Sequence, residues 1–150
     1  MPDLNVVIKT VPAMLVAARR VSIPRNDRGP KHLDPAFTEA YDFVRTHGAL
    51  DNGPRIALWH NSAYGNEDAE AVVPIDRRLT GTDRVKVYEL SGTKVASIIH
   101  FGNSDVFTKD HAALLEWINA NGYKIVGPYR EIYMKPDRTI TEIQFPVEKV

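Results

Sequence analysis

The sequence predicts an α+β fold in which a β-α-β-β unit occurs twice, with two helices on one face of an antiparallel sheet. Three observations support this. Short apolar or alternating runs are typical of strands. Two longer segments have helical spacing, and each ends at a glycine. The pattern that follows the first helix is repeated after the second.

The first repeat opens with strand-like segments and continues into a helix. Val6–Ile8 and Met14–Val21 are rich in β-branched and apolar residues, as strands are. Asp34 followed by Pro35 is a typical helix start, with Asp34 as the N-cap and Pro35 at the first helical position. Gly48 is a typical helix end. The residues expected to face the core have the spacing i, i+3, i+4 and i+7 and are Phe37, Ala40, Tyr41 and Val44.

Strands and a second helix complete the predicted order. After the first helix, strands are expected at Ile56–Trp59 and Glu70–Ile75. The second repeat is expected to contain strands Val85–Leu90 and Lys94–Phe101, a helix Asp105–Asn121, and strands Tyr129–Met134 and Ile140–Val147. The buried side of this second helix is predicted to consist of Ala112, Leu114, Leu115, Trp117 and Ile118.

The residues after the two helices indicate an internal duplication. A Gly-Pro pair, an aromatic residue and a glutamate recur in the same order. Trp59 and Tyr133 each lie five residues after the proline of that pair. Glu70 and Glu142 each lie four residues before a later proline. We therefore interpret the chain as one domain, 1–150, with halves of about 1–78 and 79–150.

Composition excludes several classes of function. Nineteen basic and nineteen acidic side chains balance, which argues against direct nucleic-acid binding. There is no cysteine, so disulfides and thiolate chemistry are excluded, and a cytoplasmic location is expected. No apolar stretch approaches the ~20 residues that cross a bilayer, so no membrane association is expected. The five histidines lack the spacing of metal ligands, and we expect neither a metal nor a cofactor.

Alternation of side chains along the strands predicts a ligand groove on the face of the sheet away from the helices. The residues assigned to this face are aromatic or acidic: Trp59, Glu70, Tyr129, Glu131, Tyr133 and Glu142. Aromatic walls with a carboxylate suit a planar or cationic organic ligand. Tyr64, in the loop 61–68, is a candidate lid. In the alternative interpretation these residues only keep a solvated face polar and blunt the sheet edges.

Five motifs in the second half occur in an order that is similar to a known family. They are Phe101-Gly102, Leu114–Asn119, Asn121–Tyr123, Gly127–Tyr133 and Thr141–Val147. With them the sequence resembles the GyrI-like small-molecule-binding domains, which are effector domains of AraC-type and MerR-type transcription regulators and also occur as stand-alone proteins. The resemblance covers essentially the whole chain. It implies a pseudo-twofold fold and a groove between the halves, lined by aromatic residues, with a buried acidic residue that matches Glu142.

Three functional hypotheses follow. The leading one is a stand-alone binder of amphipathic or cationic aromatic compounds, acting by sequestration or sensing. The first alternative, implied by a branch of the family, is a hydrolase that opens strained cyclopropane rings in genotoxic compounds. In it Glu142, with its pKa raised by burial, and Glu131 would direct water. The second alternative is an inhibitor of DNA gyrase. The expected partner is a small organic molecule, with gyrase, another protein or a second copy of the chain as alternatives.

Overall fold

The computed structural model describes residues 5–23, 32–60, 67–102, 104–135 and 139–150, with backbone only at 67 and 104–108. Within these ranges the chain forms nine strands and two helices, which confirms the predicted α+β class. In chain order they are β1 (Val7–Val11), β2 (Met14–Ile23), α1 (Asp34–Thr46), β3 (Arg55–His60), β4 (Glu67–Pro74), β5 (Val85–Leu90), β6 (Thr93–Phe101), α2 (Ser104–Ala120), β7 (Tyr123–Ile125), β8 (Tyr129–Tyr133) and β9 (Ile140–Lys149).

These elements form two compact units. The first unit comprises Ala13–Ser91 and has the strand order β3-β4-β2-β5, with helix α1. The second unit combines β1 with the chain from Gly92 onward and has the order β8-β9-β6-β1, with β7 paired to β9 and helix α2. The two orders correspond position by position, so that β5 stands in the first unit where β1 stands in the second.

The strand that precedes each repeat therefore pairs with the other repeat. β1 precedes β2 in the chain but pairs with β6, and β5 precedes β6 but pairs with β2. Each pairing is antiparallel and extends over five or six residue pairs. The expected halves 1–78 and 79–150 follow the order of the chain. The compact units differ from them because β1 belongs to the second unit and β5 to the first, and we call β1 and β5 the exchanged strands.

Helix α1 begins one residue earlier than the capping pattern predicts. Its N-cap is Leu33, and no side chain caps the helix, so Asp34 lies in the first turn instead of at the cap. There its carboxylate still interacts favourably with the positive end of the helix dipole. Gly48 ends the helix as predicted, with φ of 79° and an N–H that donates to the carbonyl of Arg45. The buried residues are Ala36, Phe37, Ala40, Phe43 and Val44, while Tyr41 is partly exposed.

Helix α2 buries a narrower face than the sequence indicates. Leu114 and Ile118, four residues apart, pack into a core cluster with Ile143 and Phe145 of β9. Ala112 and Leu115, predicted to be buried, are exposed because each lies well around the helix from Leu114. The other members or neighbours of this cluster include Ala96, Ile98, Val147 and the partly buried Trp117. In the parts of the chain that the structure describes, neither helix is long and apolar enough to span a membrane.

Candidate functional site

Helix α1 identifies the covered face of the first unit. The guanidinium of Arg55 lies over the ring of Phe37, 5.2 Å from its centroid, and Arg19 Nε donates to Glu39 Oε1 at 3.2 Å. Arg55 and Trp59 are four residues apart on β3, so their side chains share this face. Trp59 therefore lies on the helix side and is buried. The sequence-based assignment of Trp59 to the opposite face is wrong.

The same correction applies to β8 in the second unit. The ring of Tyr129 stacks on Phe145, with centroids 5.2 Å apart, and His111 of α2 meets Tyr129 edge-on at 5.0 Å. Glu131 pairs with Ile143, and directly opposed residues share a face. Tyr129, Glu131 and Tyr133, which alternate along β8, therefore all lie on the α2 side. Alternation failed because β3 and β8 are buried on both faces, so the apolar residues do not mark the core side.

Glu131 is held by the two tyrosines of its own strand. Tyr129 Oη donates to Glu131 Oε2 at 2.6 Å, and Tyr133 Oη donates to Oε1 at 2.8 Å. Both carboxylate oxygens thus accept hydrogen bonds within a buried network on the helix side. This arrangement stabilises the packing of β8 and leaves Glu131 poorly placed to direct water.

Glu70 and Glu142 lie on the face away from the helices, as predicted. Glu70 is opposite Leu58 on β3 and opposite Arg20 on β2. Glu142 is opposite Ile132 on β8 and Ile99 on β6. Both glutamates are buried. Of the six residues assigned to this face from the sequence, these two belong to it and the other four lie beneath the helices.

Both oxygens of the Glu70 carboxylate have a hydrogen-bond partner. His60 Nε2 lies 2.7 Å from Oε1, and Tyr88 Oη donates to Oε2 at 2.8 Å. His60 comes from β3 and Tyr88 from β5, the exchanged strand of the first unit. Each oxygen of Glu70 therefore already has one partner, and a ligand donor would have to compete with His60 or Tyr88 for it.

Glu142 is arranged differently, with all its partners on one oxygen. Oε2 accepts hydrogen bonds from Ser97 Oγ at 2.6 Å and Gln144 Nε2 at 2.8 Å, and Lys9 Nζ lies 2.7 Å away. No residue described in the structure donates to Oε1, and this oxygen is not fully buried. Glu142 thus combines one oxygen with three partners, which fix the side chain, with a second oxygen that has none among the described residues.

Lys9 and Tyr88 occupy equivalent places in the two units. Lys9 pairs with Val95, four residues before the β6 partner of Glu142. Tyr88 pairs with Val16, four residues before the β2 partner of Glu70. The exchanged strand of each unit therefore supplies one donor to the buried glutamate of that unit.

The pKa of Glu142 lies below its ordinary value. Burial acts to raise it, but the hydrogen bonds from Lys9, Ser97 and Gln144 and the charge of Lys9 lower it more. Glu142 is therefore a carboxylate at neutral pH. The expected raised pKa is wrong, because the sequence did not reveal that three donors converge on this side chain.

Exposed apolar side chains share the face of Glu142. Ile99 is opposite Glu142, and Phe101 lies two residues further along β6, so both point to the same side. Val7, opposite Ser97 on β1, does the same. Phe101 is 66% exposed and Ile99 is 42% exposed. We name Glu142, Lys9, Ser97, Gln144, Ile99 and Phe101 the Glu142 site.

Sequence reasoning identified only Glu142 among these residues. Alternation along β6 and β9 indicates that Ser97 and Gln144 share a face with their strand neighbours, but it does not mark them as partners of a carboxylate. Lys9 carries no local signal, since its position depends on the pairing of β1 with β6. The candidate lid residue Tyr64 lies outside the described residues. Two open depressions lie along the helices, at Asp34–Asp42 and Ala113–Asn121, away from both glutamates.

Comparison with known proteins identifies the family and the fold of the chain. The profile of a family described as "GyrI-like small molecule binding domain" matches residues 4–148. No curated protein matches the chain significantly. The crystal structure of the EcmrR C-terminal domain has a TM-score of 0.84 at 24% identity, covering 98% of this chain and 99% of that one.

Two further solved structures have the same fold. The EcmrR chain in the cryo-EM structure of the EcmrR–DNA complex has a TM-score of 0.83 at 24% identity, covering 97% of this chain, and the present chain spans 58% of its length. SAV2435 bound to tetraphenylphosphonium has a TM-score of 0.67 at 14% identity, covering 97% of this chain and 94% of that one. The structural likenesses show the fold, and the match over residues 4–148 shows that the chain belongs to the GyrI-like small-molecule-binding domain family.

Proposed function

We propose that the chain binds an amphipathic aromatic molecule with a cationic or hydrogen-bond-donating group, and that Glu142 is the anchor for that group. The observation that carries this proposal is the open Oε1 of a buried, ionised carboxylate whose other oxygen is fixed by three donors. In this proposal the domain acts by sensing or sequestering the molecule.

The electrostatics of Glu142 support a binding role. A buried charge attracts an opposite charge more strongly than a solvated one does, because the surrounding dielectric is lower. The usual cost of burying a carboxylate is offset here by Ser97 and Gln144, which hold it in one orientation. A ligand donor that reaches Oε1 therefore meets an anchor that needs no rearrangement.

The apolar neighbours of Glu142 would bind the aromatic part of the ligand. Phe101 and Ile99 expose large apolar surfaces beside the carboxylate. A ring of the ligand stacked on Phe101 would contribute about 0.5–1.5 kcal/mol beyond burial of area, and a cation over the ring a similar amount. This combination fits an amphipathic ligand, and tetraphenylphosphonium, seen on the structural neighbour SAV2435, is a suitable probe.

The hydrolase alternative receives less support. A glutamate that directs water as a general acid or base is most efficient when its pKa lies near the operating pH, whereas the pKa of Glu142 is lowered. Glu131, the second residue of that hypothesis, has both oxygens occupied by tyrosines. In the described part of the chain we find no feature that favours a gyrase-inhibitor role. Binding without chemistry is therefore the function that we propose.

Isothermal titration calorimetry with tetraphenylphosphonium and with triphenylmethanol, a neutral aromatic probe that carries a hydroxyl donor, tests this proposal. We expect saturable binding of the cation to the wild type. Glu142→Gln should weaken it about tenfold or more, which corresponds to ~1.4 kcal/mol. The matched control is Glu70→Gln, at the equivalent glutamate, both of whose oxygens have hydrogen-bond partners. Its affinity for the cation should stay within about twofold of the wild-type value. Equal affinities of the wild type and Glu142→Gln would refute the assignment of the anchor.

A further inference from the structure

We propose that Lys9 is a tethered counter-ion which competes with cationic ligands for Glu142 and so sets the ligand charge that the site accepts. This inference rests on the proposed function and concerns the specificity of the same site. Lys9 lies on β1 and reaches Glu142 only because β1 pairs with β6 of the other repeat.

The position of the ammonium group is the first argument. Lys9 Nζ lies 2.7 Å from Glu142 Oε2, and the side chain of Lys9 is 42% exposed while that of Glu142 is 9% exposed. Lys9 therefore approaches from the solvent side, whereas Ser97 and Gln144 bind the same oxygen from within the sheet. A cation that docks on Glu142 from solvent meets the Lys9 ammonium at the carboxylate.

The charges on this face give the second argument. Lys9 neutralises the charge of Glu142 on contact. A cationic ligand is therefore attracted by Glu142 and repelled by Lys9, whereas a neutral donor to Oε1 is not repelled.

The first unit provides an internal comparison. Tyr88, at the position equivalent to Lys9, donates to Glu70 through a neutral hydroxyl. A neutral donor is thus compatible with this place in the fold. In the first unit the basic neighbours of Glu70, His60 and Arg20, come from other strands, whereas in the second unit the exchanged strand itself supplies the positive charge.

Removal of this charge tests the inference. Lys9→Gln keeps an N–H donor on a shorter, neutral side chain. We expect it to tighten tetraphenylphosphonium binding about tenfold, measured by calorimetry, and to leave triphenylmethanol, a neutral probe whose hydroxyl can donate to Oε1, within about twofold. The control is Lys94→Gln, which removes the same charge from an exposed residue of β6 whose side chain points to the opposite face. It should leave the ratio of the two affinities as in the wild type.

The outcomes separate this inference from the proposed function. If Lys9→Gln leaves cation affinity unchanged or weakens it while Glu142→Gln still weakens it about tenfold or more, the inference about Lys9 is wrong and the assignment of Glu142 as the anchor is retained. If neither probe binds to any variant, both proposals fall. Circular dichroism and a urea transition of each variant establish that it is folded before its affinities are compared.

Discussion

Lys9 and Tyr88 stand at equivalent positions in the two repeats, and each binds the buried glutamate of its own unit. Lys9 contacts Glu142 at 2.7 Å and Tyr88 donates to Glu70 at 2.8 Å. Both come from the strand that is exchanged between the repeats. The two donors differ in charge. The two glutamates also differ, since both oxygens of Glu70 have partners, through His60 and Tyr88, whereas one oxygen of Glu142 has none among the described residues.

We expect Tyr88→Phe to destabilise the protein without changing ligand affinity. Loss of the hydroxyl leaves Glu70 Oε2 without its donor in a buried place, which costs about 1–3 kcal/mol of unfolding free energy. Urea denaturation measures this cost, and calorimetry with tetraphenylphosphonium measures the affinity. A variant as stable as the wild type would show that Tyr88 does not hold Glu70.

Phe101→Ser tests the apolar part of the Glu142 site. Because Phe101 is exposed, its replacement should leave the unfolding free energy nearly unchanged. Loss of the ring should weaken both the cationic and the neutral aromatic probe, roughly 2- to 10-fold, by about 0.5–1.5 kcal/mol. Leu50→Ser removes a comparably exposed apolar side chain from the first unit and serves as the control. If both variants bind like the wild type, Phe101 is not a contact of the ligand.

Trp59→Phe distinguishes the two assignments of Trp59. Since Trp59 is buried on the α1 side, we expect the smaller ring to cost about 1–2 kcal/mol of stability and to leave affinity unchanged. Ligand titration should accordingly quench little of the Trp59 fluorescence, measured in a Trp117→Phe background. Strong saturable quenching in this background would show that Trp59 contacts the ligand and that its assignment to the α1 side is wrong.

The lowered pKa of Glu142 predicts a pH-dependent contribution to stability. A carboxylate with a folded-state pKa below its ordinary value of 4.5 contributes stability that is fully present above that value. The contribution is lost as the pH falls through the lowered folded-state pKa. The difference in unfolding free energy between the wild type and Glu142→Gln should be constant from about pH 7 to 5. Below pH 4.5 the wild type should lose stability relative to the variant. Glu39, with a pKa of about 2, titrates in both proteins and cancels. A difference that does not vary with pH would contradict the ion pair with Lys9.

Much of the fold could be predicted from the sequence because its signals are local. Helical spacing and glycine stops located α1 and α2, and the recurrence of Gly-Pro pairs indicated the duplication. Short apolar runs indicated where the strands lie along the chain. The short strand β7 was not predicted, since three residues are too few to show the alternation typical of a strand. Glu70 and Glu142 were placed correctly because the last strand of each repeat has a clear apolar partner face.

The sequence by itself thus indicated both helices, eight of the nine described strands, a recurring order of elements and the face on which Glu70 and Glu142 lie. Only the tertiary structure decided which residues meet them. Trp59 and Tyr133 lie on strands buried on both faces, where alternation cannot tell one side from the other. Lys9 reaches Glu142 through a strand pairing between residues some 85 positions apart, Lys9 with Val95, and such a register depends on long-range packing rather than on local sequence.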